Sequence, residues 1–187
     1  MIKDGVGGAN TNRTGLAFER KVSIIDIFSN IDGYEVEIAP LIENKQVGSL
    51  LKFENQLVAR IFEKHNFYNF LELEHNKKKK KYLSKRLLPD TALLIIVRDT
   101  LFIIEIKYQE VAGSVDEKLQ TCDFKRKQYQ KLVKSLNYKV EFVYVLNKDW
   151  FGKSEYKDVL EYICSMNCHY VFDEIPLKWL GLPAVKI

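Results

Sequence analysis

The stretch 88-LPDTALLIIVRDTLFIIEIKYQ-109 contains two apolar runs that meet at a short polar turn. Each run is long enough for a strand that is buried on both faces. Residues 91–98 and 101–108 are therefore predicted to form a β-hairpin. The first strand nevertheless follows Asp90, and the second carries Glu105 and Lys107. Because an unpaired charge is costly to bury, these three groups call for a common explanation.

Side-chain alternation brings the three charged groups to one face of the hairpin. If Ile96 pairs with Leu101, Asp90 lies opposite Lys107 and diagonal to Glu105, within roughly 7–8 Å. A turn with any even number of residues keeps this parity, because successive side chains of a strand point to opposite faces. Two carboxylates can bind Mg²⁺, which polarises a phosphate and activates a water molecule. The lysine can orient that water, contact the phosphate or act as a base. A structural ion pair at the strand ends is the alternative.

The rest of the chain is predicted to form helices and strands around one mixed sheet. Apolar patterns predict helices over residues 16–28, 53–73, 115–136 and 154–165, and strands over residues 35–39, 139–147 and 169–172. Residues 4–15 are rich in Gly, Asn and Thr and are predicted to form a loop. Since no linker or repeat divides the sequence, residues 1–187 are predicted to be a single α/β domain, a mixed sheet flanked by helices.

The composition is that of an ordinary soluble globular protein, with 47% apolar residues, 29% charged residues and a net charge of +4. No apolar stretch approaches the roughly 20 residues of a membrane span, and the N-terminus lacks a secretory signal, so a cytoplasmic location is expected. Cys164, Cys168 and His169 are close enough in sequence to suggest zinc, but a fourth ligand is not evident. Small buried thiols are the alternative.

Pro89-Asp90, followed after 14 residues by Glu105-Ile106-Lys107, resembles the signature of the PD-(D/E)XK nuclease superfamily. The continuation 105-EIKYQEVAGSVDEKL-119 is similar to type II restriction endonucleases within that superfamily. The resemblance covers residues 14–147 and implies a restriction-endonuclease-like αβββαβ core, followed by a helix–strand extension. It also implies a Mg²⁺-dependent endodeoxyribonuclease in which Mn²⁺ substitutes. Residues 35–39 or 82–88 are the candidates for the first core strand.

The resemblance assigns roles to individual residues of the site. Asp90 and Glu105 would ligate Mg²⁺ together with the backbone carbonyl of Ile106, and Lys107 would position the attacking water. Glu19, on the first predicted helix, matches a further acidic residue that many members bring to the metal. A solvent-exposed helix edge is the alternative for Glu19.

Two polar residues downstream of the signature are also candidates. Gln109 matches a position that often contacts phosphate or water in the family, and hydrogen bonding at the strand end is its alternative. Ser114 and Glu117 form a capping box that fixes the start of the next helix. The free N–H groups of that helix start are also suited to a DNA phosphate, so both roles for Ser114 stay open.

Two basic clusters are predicted to contact the phosphates of double-stranded DNA. They consist of Lys77, Lys78, Lys79, Lys80 and Lys81 in the first, and of Lys125, Arg126 and Lys127 in the second. The segment 77–86 carries seven positive charges and no acid, which leaves −3 on the rest of the chain. A solvated lysine loop is the alternative for it. Asn10, Asn12 and Arg13 are candidates for contacts with bases.

One catalytic motif per chain favours a homodimer, in which each site cuts one strand of a palindromic duplex. The predicted helix over residues 53–73 is a candidate interface, with core packing as its alternative. A restriction enzyme would have a cognate DNA methyltransferase as its partner in the same system. A structure-specific repair or junction nuclease, and a non-catalytic DNA-binding module of the same fold, are the competing functions.

Overall fold

The computed structural model describes residues 7–77, 82–111 and 115–183, with side chains from residue 14 onward apart from position 116. These residues contain a seven-stranded mixed sheet in which the order of the strands follows the chain. The strands are β1 (Tyr34–Ile38), β2 (Ser49–Phe53), β3 (Gln56–Glu63), β4 (Thr91–Ile95), β5 (Thr100–Lys107), β6 (Lys139–Leu146) and β7 (His169–Phe172). Strands β1 to β5 are antiparallel, whereas β6 and β7 run parallel to β5.

Helices cover both faces of the sheet, which confirms the predicted α/β class. They are α1 (Gly7–Lys21), α2 (Ile24–Ser29), α3 (Asn66–Leu73), α4 (Val115–Leu119), α5 (Cys122–Val133), α6 (Lys148–Phe151), α7 (Lys157–Ser165) and α8 (Leu177–Leu180). Helices α3, α5 and α7 pack on one face, and α1, α2 and α8 pack on the other. Helices α5 and α7 lie in the connections to β6 and β7, because parallel neighbours need a crossover.

Strand β5 shows why the two apolar runs lack a polar side. Leu101 and Ile103 belong to the core under α3, α5 and α7, whereas Phe102 and Ile104 belong to the core under α1, α2 and α8. All four side chains are at most 1% exposed. A strand between two helix layers therefore needs apolar residues at every position.

The prediction of one helix over residues 53–73 is wrong in its first half, which contains the hairpin of β2 and β3. Glu54 and Asn55 form the turn with φ of 47° and 65°. Two consecutive left-handed residues make the tight turn that joins twisted antiparallel strands. The strand that pairs with β4 ahead of it in the chain is consequently β3. Residues 35–39 and 82–88, the two candidates for the first core strand, do not occupy this position.

The second half of that segment is helical, as α3, but it is not an exposed interface. Its large side chains, Phe67, Tyr68, Phe70 and Leu71, are at most 4% exposed and belong to the core under α3, α5 and α7. Burial within one chain leaves these aromatic groups unavailable to a second copy. The core-packing alternative is therefore the observed one.

The N-terminal prediction needs two corrections. Residues 16–28 form two helices rather than one, because Ser23 interrupts them and its Oγ accepts a hydrogen bond from the N–H of Asp26, which caps α2. The loop prediction for residues 4–15 is also wrong where the backbone is described, since α1 begins at Gly7.

The remaining predictions agree more closely with the structure. Strands β1, β6 and β7 match the predicted strands to within one residue, and α7 with the 3₁₀ turn before it matches the helix over residues 154–165. The predicted helix over residues 115–136 is divided at Thr121 into α4 and α5, with a final 3₁₀ turn at Lys134–Leu136. Nowhere in the described ranges is a helix both long and apolar enough to cross a membrane.

Candidate active site

The hairpin of β4 and β5 brings Asp90 beside the end of β5. Thr91 pairs with Ile104, which is two residues away from the predicted register because the turn contains four residues rather than two. Extending this register by one pair sets Asp90 opposite Glu105 instead of Lys107. Since a shift of two residues leaves every side chain on its face, the predicted convergence survives the corrected register.

The ammonium group of Lys107 lies among the three oxygen atoms that the motif resemblance predicts as metal ligands. Nζ is 3.0 Å from the Ile106 carbonyl oxygen, 3.3 Å from Glu105 Oε2 and 3.5 Å from Asp90 Oδ2. The N–H of Ile106 also donates to Asp90 Oδ2 over 2.8 Å. Two carboxylates and one carbonyl therefore surround a single positive charge.

Lys125, on α5, joins this cluster from the helix layer above the sheet. Its Nζ is 2.6 Å from Glu105 Oε2, which is closer than the Nζ of Lys107 to the same oxygen. The sequence predicts Lys125 only as a DNA phosphate contact, because nothing local signals a pairing across 20 residues. We define Asp90, Glu105, Lys107 and Lys125 as the charged cluster.

The charged cluster runs from the protein interior to solvent. The side chain of Glu105 is 7% exposed, that of Lys107 18% and that of Asp90 45%. The ammonium groups of Lys107 and Lys125 lie beside this buried carboxylate and offset the cost of burying its charge. Asp90 is the member that a ligand in solution meets first.

An open cleft of about 440 Å³ lies beside the end of β5. Glu19 and Leu16 of α1 line it on one side, and Ile106, Lys107 and Tyr108 line it on the other. Glu19 is exposed, as a further metal ligand or a simple helix edge would both require. The structure thus places Glu19 in one cleft with Lys107, but not within the charged cluster.

The donor set fits a hard divalent cation at the charged cluster. Carboxylate and carbonyl oxygens are the ligands that Mg²⁺ prefers, with water completing its coordination. The ammonium of Lys107 is a cation that already contacts all three predicted oxygens. Within the described part of the chain, no three His, Cys, Asp or Glu side chains are grouped closely enough to hold a metal. Two carboxylates with a carbonyl and water are therefore the available set.

Gln109 is buried just beyond the charged cluster. It is 4% exposed, and its backbone exchanges two hydrogen bonds of 3.0 Å with the side-chain amide of Asn147, directly after β6. The side-chain Oε1 and Nε2 of Gln109 have no partner among the residues that the structure describes. Backbone pairing to Asn147 therefore accounts for the strand end, but it leaves the Gln109 side chain without a structural role.

Two tyrosines, which the sequence does not identify as site residues, fix the backbone ahead of Asp90. Tyr68 and Tyr129 donate hydrogen bonds of 2.7 Å and 3.0 Å to the carbonyl oxygen of Leu87, and Leu87 N–H donates to the Tyr68 oxygen over 3.2 Å. Burial raises the pKa of both hydroxyl groups, so both remain protonated donors. They hold the chain three residues before the catalytic aspartate candidate.

The first basic cluster is only partly described, and Lys77 differs from its prediction. Lys77 is 6% exposed, and its Nζ donates to the Leu132 carbonyl over 3.4 Å and to the Ser135 hydroxyl. Its ammonium also lies 4.8 Å from the centre of the Tyr82 ring. Because a buried ammonium does not reach a phosphate, Lys77 is corrected to a structural residue. The other residues of the first basic cluster, Lys78, Lys79, Lys80 and Lys81, lie outside the described residues. Ser114 does so as well.

The residues of the second basic cluster contact two different acids. Lys125 faces Glu105, whereas Arg126 and Lys127 approach Asp123 at 3.4 Å and 2.7 Å. Lys127 has a side chain that is 64% exposed, so it keeps access to a polyanion. The candidates for base contacts, Asn10, Asn12 and Arg13, lie on α1, but their side chains are outside the described residues.

The cysteines do not form the zinc site that their spacing suggests. Cys122 and Cys168 are buried, and Cys164 is exposed. A hydrogen bond with the Cys122 thiol, together with burial, raises the pKa of Cys168. His169 contacts Glu141 at 3.1 Å rather than sulfur. Two buried thiols in contact therefore match the alternative reading.

Comparisons of the chain with protein-family models, with curated proteins and with solved structures return no match. A functional assignment for this chain therefore depends on the geometry of the charged cluster and on the sequence signature that it contains.

Proposed function

We propose that this protein is a Mg²⁺-dependent endodeoxyribonuclease, a sequence-specific enzyme of the type II restriction kind. One observation supports it most directly: the Asp90 and Glu105 carboxylates and the Ile106 carbonyl surround one cation, the Lys107 ammonium, at the solvent-facing end of the hairpin. Two separate ion pairs, Asp90–Lys107 and Glu105–Lys125, would balance the four charges without both carboxylates and a carbonyl meeting at one ammonium group. Two carboxylates and a carbonyl whose oxygen atoms converge on one position are the ligands that a hard divalent cation prefers.

The order of the elements also supports the PD-(D/E)XK resemblance. Helix α2 precedes the antiparallel strands β3, β4 and β5, and α5 leads to β6, which is parallel to β5. The αβββαβ order that the resemblance implies can be followed through these elements, with β1 and β2 inserted between α2 and β3 and with α3 inserted between β3 and β4. In the sheet, β1 and β2 extend one side and β7 extends the other. The cluster lies at the carboxyl end of β5, next to that of β6, where mixed and parallel sheets commonly place their sites.

Each residue of the site has a distinct part in the proposed hydrolysis. Asp90, Glu105 and the Ile106 carbonyl would hold the cation, with Glu19 in the adjoining cleft. When bound, the cation would neutralise phosphate charge and lower the pKa of a water molecule. With the cation in place of its present contacts, Lys107 would donate hydrogen bonds to the attacking water and to a phosphate oxygen.

Hydrolysis by this site consumes one water per bond. A bond forms between the water oxygen and phosphorus, and one phosphorus–ester bond breaks. The proton of the water passes to solvent, and the leaving alkoxide takes one up, so no oxidant or further reactant is needed. A two-fold dimer would cut both strands of a palindromic sequence.

Digestion of plasmid and phage DNA with Mg²⁺, followed by sequencing of the fragment ends, tests the proposal. The expected result is that the fragment ends share one recurring sequence. If the Asp90→Ala variant produces no such fragments, the cleavage is due to this site. Cutting only at nicks, flaps or four-way junctions would favour a structure-specific nuclease instead. A protein that binds DNA but leaves it intact across Mg²⁺ and Mn²⁺ titrations would be a non-catalytic DNA-binding module.

A further inference from the structure

Glu105 is contacted by two lysines, one of which, Lys107, it shares with Asp90. Both Lys107 and Lys125 contact the same oxygen, Oε2, at 3.3 Å and 2.6 Å. The second ammonium is expensive to place there, because the side chain of Lys125 is only 21% exposed and part of its hydration is lost. A structural ion pair at Glu105 would be complete with one lysine.

Lys125 is also not needed to hold α5 in place. Cys122, Tyr129, Leu132 and Val133 of the same helix are at most 1% exposed and pack against the sheet. Apolar burial on this scale outweighs one partly exposed ion pair as a source of docking energy. Among the described residues, Glu105 is the acid that Lys125 contacts.

The charges of the cluster suggest what the second lysine does. At rest, the carboxylates of Asp90 and Glu105 and the ammonium groups of Lys107 and Lys125 sum to zero. A bound divalent cation would leave the site with a net charge of +2, and the repulsion among these positive charges would weaken cation binding in the free protein. A phosphodiester and an ionised water together carry −2, so they restore neutrality only when DNA is present.

We propose that Lys125 is the residue that makes cation binding depend on DNA, an inference that rests on the proposed nuclease function. In the free protein Lys125 occupies Glu105 Oε2 and lowers the affinity of the charged cluster for a divalent cation. With DNA bound, Lys125 moves its charge to a phosphate oxygen and leaves Glu105 to the cation. Cation and DNA then bind cooperatively, and the free protein is kept from loading metal without substrate.

Mn²⁺ titration of the DNA-free protein by calorimetry tests Lys125 without any cleavage readout. Lys125→Met removes the charge and should tighten Mn²⁺ binding by about tenfold or more, because a like charge within a few ångströms is removed. Lys125→Arg retains the charge and should bind Mn²⁺ as weakly as the wild type. Lys131→Met, on the exposed side of the same helix, is the matched control and should leave the affinity unchanged. If the heat of Mn²⁺ binding disappears in Asp90→Asn, the heat comes from binding at the charged cluster.

The same variants separate Lys125 from a merely structural residue. If Lys125 only stabilised the structure of the site, Lys125→Met would weaken or abolish Mn²⁺ binding. The inferred role instead requires Mn²⁺ binding to become stronger in this variant. Cleavage by Lys125→Met should nevertheless be slower than wild type, and DNA should no longer raise its Mn²⁺ affinity. If Lys125→Met does not fold by circular dichroism, Lys125→Gln carries the same test, since it is neutral but still polar.

The outcomes distinguish this inference from the proposed function. If the wild type binds Mn²⁺ and cleaves DNA, but Lys125→Met binds Mn²⁺ no more tightly, the role of Lys125 is refuted and the nuclease stands. If the wild type binds Mn²⁺ but never cleaves, the nuclease proposal fails, while the change in affinity still reports on Lys125. If the wild type binds no divalent cation even with DNA, both fail together.

Discussion

The backbone N–H of Ile106 donates a hydrogen bond of 2.8 Å to Asp90 Oδ2. The bond spans the end of the hairpin and fixes a side chain that is 45% exposed. Asp90 is therefore oriented by the strand backbone rather than by the lysine alone, whose Nζ is more distant at 3.5 Å. Such backbone anchoring is how a rigid scaffold holds a reactive carboxylate at solvent.

This relationship predicts the behaviour of Asp90→Asn. The amide oxygen can still accept from Ile106, so the fold and DNA affinity should be kept, but the negative charge is lost. DNA cleavage should fall by at least roughly 100-fold, the usual scale for losing a metal-binding or charge-stabilising group. Single-turnover cleavage and an electrophoretic mobility shift measure the two effects. Normal turnover in Asp90→Asn would refute the site assignment.

Lys107→Ala is predicted to abolish cleavage while DNA binding is largely retained, because one ammonium among many phosphate contacts contributes little to affinity. Lys157→Ala is a suitable control, since that lysine on α7 is 73% exposed and only 3.8 Å from Glu161 in a surface pair. The control should cleave like the wild type. Equal loss in both variants would mean that general charge, rather than the position of Lys107, supports the reaction.

Gln109→Met is predicted to separate stability from activity. The Gln109 amide is buried and has no side-chain partner in the described ranges, so an apolar replacement of similar shape removes a desolvation penalty. The free energy of unfolding should stay equal or rise by about 1 kcal/mol, while cleavage falls if the amide serves water or phosphate. Urea denaturation and single-turnover assays measure both quantities. Destabilisation beyond 1 kcal/mol would instead show that the amide has a structural partner.

Tyr129 predicts a loss of stability at alkaline pH. Burial holds its pKa far above the ordinary 10.0, so above about pH 10 the unfolded chain releases this proton and the folded chain does not. Titration of this group therefore makes the free energy of unfolding no more pH-dependent below that pH, but lowers it by up to about 1.4 kcal/mol per pH unit above it.

Tyr129→Phe tests this pH dependence directly. The variant should reduce the alkaline slope and cost about 1 kcal/mol at neutral pH, because Leu87 keeps only its bond from Tyr68. Denaturant unfolding between pH 7 and 11 provides both values. An unchanged slope would mean that Tyr129 titrates normally in the folded protein.

Lys77 and Lys127 are predicted to affect different properties. Lys77→Ala should lower the free energy of unfolding by about 1–3 kcal/mol, since it leaves the buried Leu132 carbonyl unpaired and removes the partner of the Ser135 hydroxyl. It should leave the salt dependence of DNA binding unchanged. Lys127→Ala should reduce the slope of log affinity against log salt by about 0.9 and leave stability near wild type. A reduced salt slope in Lys77→Ala would return Lys77 to the DNA-binding surface.

Local sequence properties were sufficient for several strands and insufficient for the segment around β3. The residues Leu57, Val58, Ile61 and Phe62 satisfy a four-residue helical spacing, but Val58, Ile61 and Phe62 also satisfy a strand that is buried on both faces. The turn at Glu54 and Asn55 decides between the two, and its left-handed conformation is only weakly marked in the sequence. Packing between two helix layers then stabilises the strand.

The local sequence is enough to place Asp90, Glu105 and Lys107 on one face, because the alternation of side chains is a property of the covalent chain that a two-residue register shift does not alter. The contact of Lys125 with Glu105 and the burial of Lys77 against α5 appear only in the folded chain. Those contacts depend on how α5 docks on the sheet, which is the sum of many small packing energies over residues far apart in the chain. No local pattern encodes such a sum.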